Sequence, residues 1–264
     1  MTAPPEWAAR FAPFLADPVR SAVLTDFDGT LAAIVADPAT ARPLPGAREV
    51  LADLGRRFAT VAVVSGRPAS FLVDHLGGIS GLRLVGSYGS EWSGADGFIT
   101  TDSTIEAWRP VVSEAAVRLA AQAPAGVFVE DKALSLTVHW RRAPEAERWV
   151  VDAAAAESKR SGLVAHDGRR SVELRPPGPI DKGSVVEQLA TGARCACFLG
   201  DDVGDLPAFA ALDRLAIQPG TAVVKVAAAD REGPPEVAAS ADVVVDGPPG
   251  ALRLLQWLAE PGAT

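Results

Sequence analysis

The stretch Ser21-Ala22-Val23-Leu24-Thr25-Asp26-Phe27-Asp28-Gly29-Thr30-Leu31 constrains this chain more than any other. Its apolar opening predicts a buried strand, and the Gly-Thr pair breaks it. Asp26 and Asp28 therefore fall at a strand end, the sheet edge where open α/β folds place ligands. Residues i and i+2 of an extended segment point to one side, so the two carboxylates lie close together. Such a pair repels unless a cation or a shared proton intervenes, and hard oxygen ligands suit Mg²⁺. One carboxylate can then attack phosphorus while the other handles protons. An Asp-Gly turn closing a hairpin would use the same letters. The strand ahead of the motif and its partners downstream favour the chemical reading.

Composition limits the alternatives. Hydrophobic residues make up 48% of the 264, enough for a sizeable packed core in one large domain or two modest ones. Asp and Glu outnumber Lys and Arg by 33 to 25, a net charge of −8. That balance argues against nucleic-acid binding, which depends on basic residues. No apolar run approaches a membrane span, and the first residues carry neither a basic nor an apolar export signal. Cys195 and Cys197 read as reduced core residues. A soluble, cytoplasmic, monomeric protein is expected.

Further strand ends carry chemistry. Thr60–Val64 is an unbroken apolar and β-branched run, expected for a parallel strand buried on both faces. It leads into Ser65-Gly66-Arg67, whose hydroxyl and backbone N–H groups can hold a phosphoryl oxygen. Asp181-Lys182-Gly183-Ser184 opens a helix with Asp181 as N-cap, and a lysine there can grip an anion beside free N–H groups. The run Cys195–Leu199 ends in Gly200-Asp201-Asp202-Val203-Gly204-Asp205, an acidic group that is costly without a cation.

Between these halves the pattern changes. A helix is expected at residues 6–19, and another carrying Val50, Leu51 and Leu54 with Gly55 near its end. Leu82–Val85 reads as a third strand. Ser103 to Glu106 has capping-box spacing ahead of a helical stripe from Trp108 to Leu119. Strand-like runs follow at Gly126–Glu130 and Leu134–Trp140, joined by a Glu130-Asp131-Lys132 turn. A helix at 144–161, the run Leu163–His166, an Asp167-Gly168 turn and a strand at Ser171–Arg175 complete this block. It closes at Pro176-Pro177-Gly178-Pro179, a stiff connector. We expect an inserted α/β domain at 104–177 and a parallel-sheet core from 1–103 and 178–264. Strands at Leu215–Gln218 and Asp242–Val245 and a helix at 251–258 would complete the core.

Asp26/Asp28, Ser65, Lys182 and Asp201 with Asp202 and Asp205 occur in the order of the four motifs of the haloacid dehalogenase (HAD) superfamily, which the chain resembles. The resemblance implies a Rossmann-like α/β core with Asp26 as the nucleophile that becomes an aspartyl phosphate. Asp28 would protonate the leaving oxygen and later activate water. Ser65 and Lys182 would hold phosphoryl oxygens, and Asp26, Asp201, Asp202 and the Asp28 carbonyl would bind Mg²⁺. Within the superfamily the chain is similar to the trehalose-6-phosphate phosphatase family. The likeness covers Asp26–Leu31 with Ile34-Val35 and Asp37-Pro38, Ser65-Gly66-Arg67, Glu130-Asp131-Lys132 with His139 and Arg141, Val172–Pro176, Lys182-Gly183 and Gly200–Asp202. It implies that Glu130, Lys132 and Glu173 bind the disaccharide, with Ser65, Gly66, Arg67 and Lys182 also on the substrate. The insert would act as a cap that excludes water and selects the leaving group. Arg67 and Arg175 orient neighbouring acids or touch substrate. His139 reads as a histidine satisfied within the sheet. Two positions depart from the family pattern: Tyr88 precedes Gly89 where His is usual, and Gly204-Asp205-Leu206 replaces Thr-Asp-Glu. Phosphatases for sucrose phosphate or mannosyl-3-phosphoglycerate, and a non-catalytic sugar-phosphate sensor, are the other readings. An intact nucleophile argues against the sensor.

Overall fold

The computed structural model describes residues 5–35, 37–94, 96–168, 170–229, 233–260 and 262. Ala36, beside the first motif, lies outside them. The chain falls into two units: Thr100–Pro179 forms one, and the segments up to Ile99 and from Ile180 form the other.

The first segment runs α1 (Pro5–Ala16), β1 (Ser21–Thr25), α2 (Ala47–Arg57), β2 (Thr60–Val64), α3 (Ala69–Leu76), β3 (Leu82–Gly86), β4 (Glu91–Ser93) and β5 (Ile99–Thr101). The middle unit holds α4 (Ser103–Glu106), α5 (Arg109–Gln122), β6 (Phe128–Asp131), β7 (Leu136–His139), α6 (Glu147–Ser161), β8 (Val164–Gly168) and β9 (Ser171–Arg175). The last segment adds α7 (Lys182–Leu189), β10 (Cys195–Gly200), α8 (Leu206–Ala216), β11 (Ala222–Ala229), α9 (Pro235–Ser240), β12 (Val243–Asp246) and α10 (Gly247–Ala259).

The large sheet has the order β12-β11-β10-β1-β2-β3-β4-β5. Pairing is parallel from β12 to β3 and antiparallel between β3 and β4. From β1 the chain steps outward through β2 and β3, and from β10 it steps the other way through β11 and β12. The order therefore reverses between β1 and β10, the switch point at which such sheets open a crevice beyond their strand ends. Alternation sorts side chains to two faces. Val23, Val61, Val63, Cys195, Cys197 and Leu199 pack with α1, α2 and α10 residues such as Phe11, Leu51, Leu54 and Trp257. Ala22, Leu24, Ala62, Val64, Ala196 and Phe198 pack with Val185, Val186, Leu189, Phe209 and Leu212 of α7 and α8. Burial drives the Cys197 thiol up to about 12, so both cysteines are protonated core residues.

Gly55 lies near the end of α2, as expected, and a Cβ there would come 2.7 Å from the Ser80 carbonyl oxygen, so close passage of that loop demands a glycine. Two expected elements are placed differently. The cap of α4 is Asp102, whose carboxylate accepts from Thr104 N at 2.8 Å, so Ser103 is the first helical residue. Pro110 then forces a restart at α5. Leu215 belongs to α8, and the strand beyond it is Ala222–Ala229. Its alanines are good helix formers, but Val224 and Val226 fit the core beside β10 and override that preference.

In the middle unit, the antiparallel sheet β6-β7-β9-β8 buries Leu136, Val138, Val172 and Leu174 against Val112, Ala115, Leu119 and Val150 of α5 and α6. Glu130 belongs to β6, and the hairpin turn is made by residues 132–135, with Ala133 in the left-handed region. Likewise β8 runs through Gly168, two residues further than expected.

Candidate active site

Three neighbouring parallel strands end at one edge. Asp26 follows β1, Ser65 follows β2, and Asp201 follows β10; the Asp26 N–H donates to the Leu199 carbonyl at 2.8 Å. The apolar strands stop there because the next residues are acids and hydroxyls that must reach the crevice. Lys182 enters from the start of α7, whose first turn is fixed by reciprocal Asp181–Ser184 bonds.

These side chains are buried. Lys182 donates to Asp26 Oδ1 at 2.7 Å and to Asp205 Oδ1 at 2.6 Å, and all three residues are at most 5% exposed. The other Asp205 oxygen accepts from the N–H groups of Asp201, at 2.9 Å, and Asp202, at 3.1 Å. Asp26, Asp201 and Asp205 offer carboxylate oxygens within 4.8 Å of one another. Were all three carboxylates ionised, one ammonium would leave two negative charges unbalanced in this buried group. Burial and the neighbouring acid Asp205 push Asp26 up to about 8, against the pull of Lys182. Asp201 is held far above the usual carboxylate range by burial and by Asp26, Asp205 and Asp202. Lys182 loses charge stability by burial, but Asp205 and Asp26 outweigh that and raise it.

A divalent cation fits this group. Its charge equals the surplus, its preference is for oxygen, and Asp201 Oδ1 is a buried acceptor without a hydrogen-bond partner. Asp26 and Asp201 have the chemistry to ligate it. Asp205, with both oxygens engaged by protein donors, positions Lys182 and the Asp201 backbone. Gly29 makes the crowding tolerable: it adopts φ +76°, and a Cβ there would lie 2.0 Å from Asp201 Oδ2.

The other expected site residues divide. Ser65 is buried at the β2 end; its Oγ accepts from Arg67 N at 3.2 Å, and its carbonyl accepts from Tyr88 N at 2.9 Å. Gly66 packs under the Tyr88 ring, where a Cβ would come 2.6 Å from the phenol oxygen. The Asp28 side chain turns to Arg67 and not to the acidic trio. Asp202 accepts from Val203 N at 2.7 Å, capping the turn that carries Asp205. The trio thus contains Asp205, whose place five residues after Gly200 is the only sequence sign of its role.

Glu91 went unforeseen. Its buried carboxylate accepts from Ser87 Oγ at 2.7 Å and Ala69 N at 2.9 Å, tying the loop after β3 to the start of α3. No local pattern signals it, since both partners are brought in by the fold.

In the middle unit, strand register sets Glu130 opposite Thr137, Thr137 opposite Glu173, and Glu173 opposite His166. Opposed residues share a face, and this is the face away from α5 and α6. Glu173 Oε1 accepts from Lys132 Nζ at 3.1 Å and Ser135 Oγ at 2.8 Å. Glu130 Oε2 lies 2.9 Å from His139 Nε2, so His139 is satisfied within the sheet, with its ring stacked on Phe128. Glu130, Lys132 and Glu173 therefore belong to one polar sheet face rich in acceptors and donors suited to hydroxyls.

Comparison with known proteins gives concordant results. A family model described as trehalose-phosphatase matches residues 24–244. A trehalose-phosphate phosphatase of Mycolicibacterium paratuberculosis is 39% identical over 201 residues, which are 72% of this chain and 51% of that protein. The chain spans about half the length of the curated relatives it matches. Among solved structures, the C-terminal domain of C. albicans trehalose-6-phosphate phosphatase has a TM-score of 0.80 at 22% identity, over 98% of this chain and 97% of that one. A haloacid dehalogenase-like hydrolase from Bacteroides thetaiotaomicron has a TM-score of 0.58 at 15% identity, over 89% of this chain and 98% of that one. At these identities the structural likeness concerns the fold, which is that of the HAD hydrolases.

Proposed function

The chain belongs to the trehalose-phosphatase family, and from that premise we propose that it hydrolyses trehalose 6-phosphate to trehalose and phosphate. The observation that carries the reading is the buried set of Asp26, Asp201, Asp205 and Lys182, whose two surplus negative charges, once all three acids are ionised, call for a divalent cation beside a carboxylate. We assign Mg²⁺ to it, held by Asp26 and Asp201. When bound, the ion neutralises charge on the phosphoryl oxygens.

The protein's own groups then do the following. The Asp26 carboxylate attacks phosphorus, and the bond from phosphorus to the sugar oxygen breaks. Asp28 gives that oxygen a proton. Water next attacks the aspartyl phosphate, its proton passes to Asp28, and the bond from phosphorus to the Asp26 oxygen breaks to free phosphate. Lys182 and Ser65 hold phosphoryl oxygens throughout. Asp202 supports the fourth motif through its turn. Glu130, Lys132 and Glu173 are assigned to sugar hydroxyls, the inserted unit is read as the specificity cap, and the cytoplasm is the proposed location.

The test is phosphate release from trehalose 6-phosphate with and without Mg²⁺, beside sucrose phosphate and mannosyl-3-phosphoglycerate. Trehalose 6-phosphate should be the best substrate, chelation should abolish turnover, and Asp26→Asn should fall to background. Equal background release by wild type and Asp26→Asn on every sugar would instead make the protein a sensor.

A further inference from the structure

Arg67 faces Asp28. Its Nε donates to Asp28 Oδ2 at 2.7 Å and its Nη2 to Oδ1 at 2.8 Å, a bidentate pair in which the arginine is 8% exposed. The seat is built from several directions. The guanidinium carbon lies 4.6 Å from the centre of the Phe71 ring, one helical turn along. Phe71 in turn meets Phe27, the residue between the two acids, edge-on at 5.5 Å. The Arg67 N–H donates to Ser65 Oγ, and its carbonyl accepts from Ser87 N at 2.8 Å. Asp28, Arg67, Phe71 and Phe27 thus close a ring of contacts that returns to the backbone of Asp28.

We propose that Arg67 is a positioning residue for Asp28 and not a ligand of the substrate. A substrate-binding arginine presents its paired donors to the incoming anion, whereas here the pair is spent on a carboxylate of the protein. The bidentate bond uses one lone pair on each Asp28 oxygen and leaves the second for an outside partner. It also fixes the plane of the carboxylate. Asp28 would thereby meet the leaving oxygen in the first step and the attacking water in the second from a set direction. The proposal rests on the phosphatase reading above.

The experiment compares wild type, Arg67→Lys, Arg67→Ala, Asp28→Asn and the double variant Arg67→Ala/Asp28→Asn in the Mg²⁺ form. Two substrates are used: trehalose 6-phosphate, whose alkoxide needs a proton to leave, and p-nitrophenyl phosphate, whose phenolate does not. On the sugar phosphate, both single Arg67 variants should lose kcat by roughly 10²-fold, the scale of a small misplacement of a reacting group. KM and competitive inhibition by inorganic phosphate should change less than about threefold. On the aryl phosphate, the first burst of nitrophenolate should survive while the steady rate slows, because water activation still needs Asp28. The double variant should be no slower than Asp28→Asn. A raised KM with weakened phosphate inhibition at unchanged kcat would overturn the proposal, and so would losses that multiply in the double variant. Arg67→Lys retains charge and bulk, so it carries the test if Arg67→Ala does not fold. If wild type cleaves the aryl phosphate but not trehalose 6-phosphate, the substrate assignment falls while the aryl arm still decides the role of Arg67.

Discussion

Gly29 shows how far a single residue can be constrained by its neighbours. Its left-handed φ and the Asp201 carboxylate 2.0 Å from any Cβ act together. Gly29→Ala should therefore displace Asp201, reduce turnover to near that of an Asp201→Asn variant, and abolish the rise in melting temperature that Mg²⁺ gives wild type. A Mg²⁺-dependent thermal shift like that of wild type would contradict this. At this scale the sequence was most informative where function and local pattern coincide. Asp26, Ser65 and Asp201 could be found because each follows an apolar run, and strand ends are visible as composition. For Arg67 the sequence left two roles open, orienting an acid or touching substrate, because its bonds to Asp28 join residues 39 apart in the chain and nothing local announces them.

Among the elements, α7 links stability to chemistry most directly. Asp181 Oδ1 accepts from Ser184 N at 2.8 Å, and Ser184 Oγ accepts from Asp181 N at 3.2 Å, so the turn presenting Lys182 is closed on itself. Asp181→Ala should cost about 1 kcal/mol, the usual loss of an N-cap side chain. It should also lower kcat severalfold by loosening Lys182, whereas Asp181→Asn should preserve both. Urea denaturation and steady-state kinetics on the same preparations check the pair of effects. This cap was legible from spacing alone. The strand β11 was not, because alanine favours helix and only the neighbouring strand makes Ala222–Ala229 extended. The polar row Glu130–Thr137–Glu173–His166 was equally hidden, since register across strands is a property of pairing rather than of any one segment.

For the whole molecule, the buried acids make stability depend on pH in an unusual direction. Asp26 has an ordinary value near 3.8 when unfolded and about 8 when folded without a cation. Between those values the folded chain holds a proton that the unfolded chain has released. The contribution of this group is therefore full below about pH 4 and is lost as pH rises toward 8. In EDTA, Asp26→Asn should flatten that fall in melting temperature. With Mg²⁺ the added stabilisation should grow across the same range, because ligation needs the ionised acids. A wild-type melting temperature no more sensitive to pH than that of Asp26→Asn would refute the assignment. Much of the parallel core could be read from sequence because buried strands are apolar on both faces. The meeting of β1 with β10 is a matter of topology, and it has a temporal consequence. Asp26 is synthesised before the inserted unit, while Lys182 and Asp201 emerge only after it. A growing chain on the ribosome therefore carries Asp26 without the Lys182 ammonium that offsets its charge, so the buried group cannot assemble until the inserted unit and the residues through Asp205 have been made.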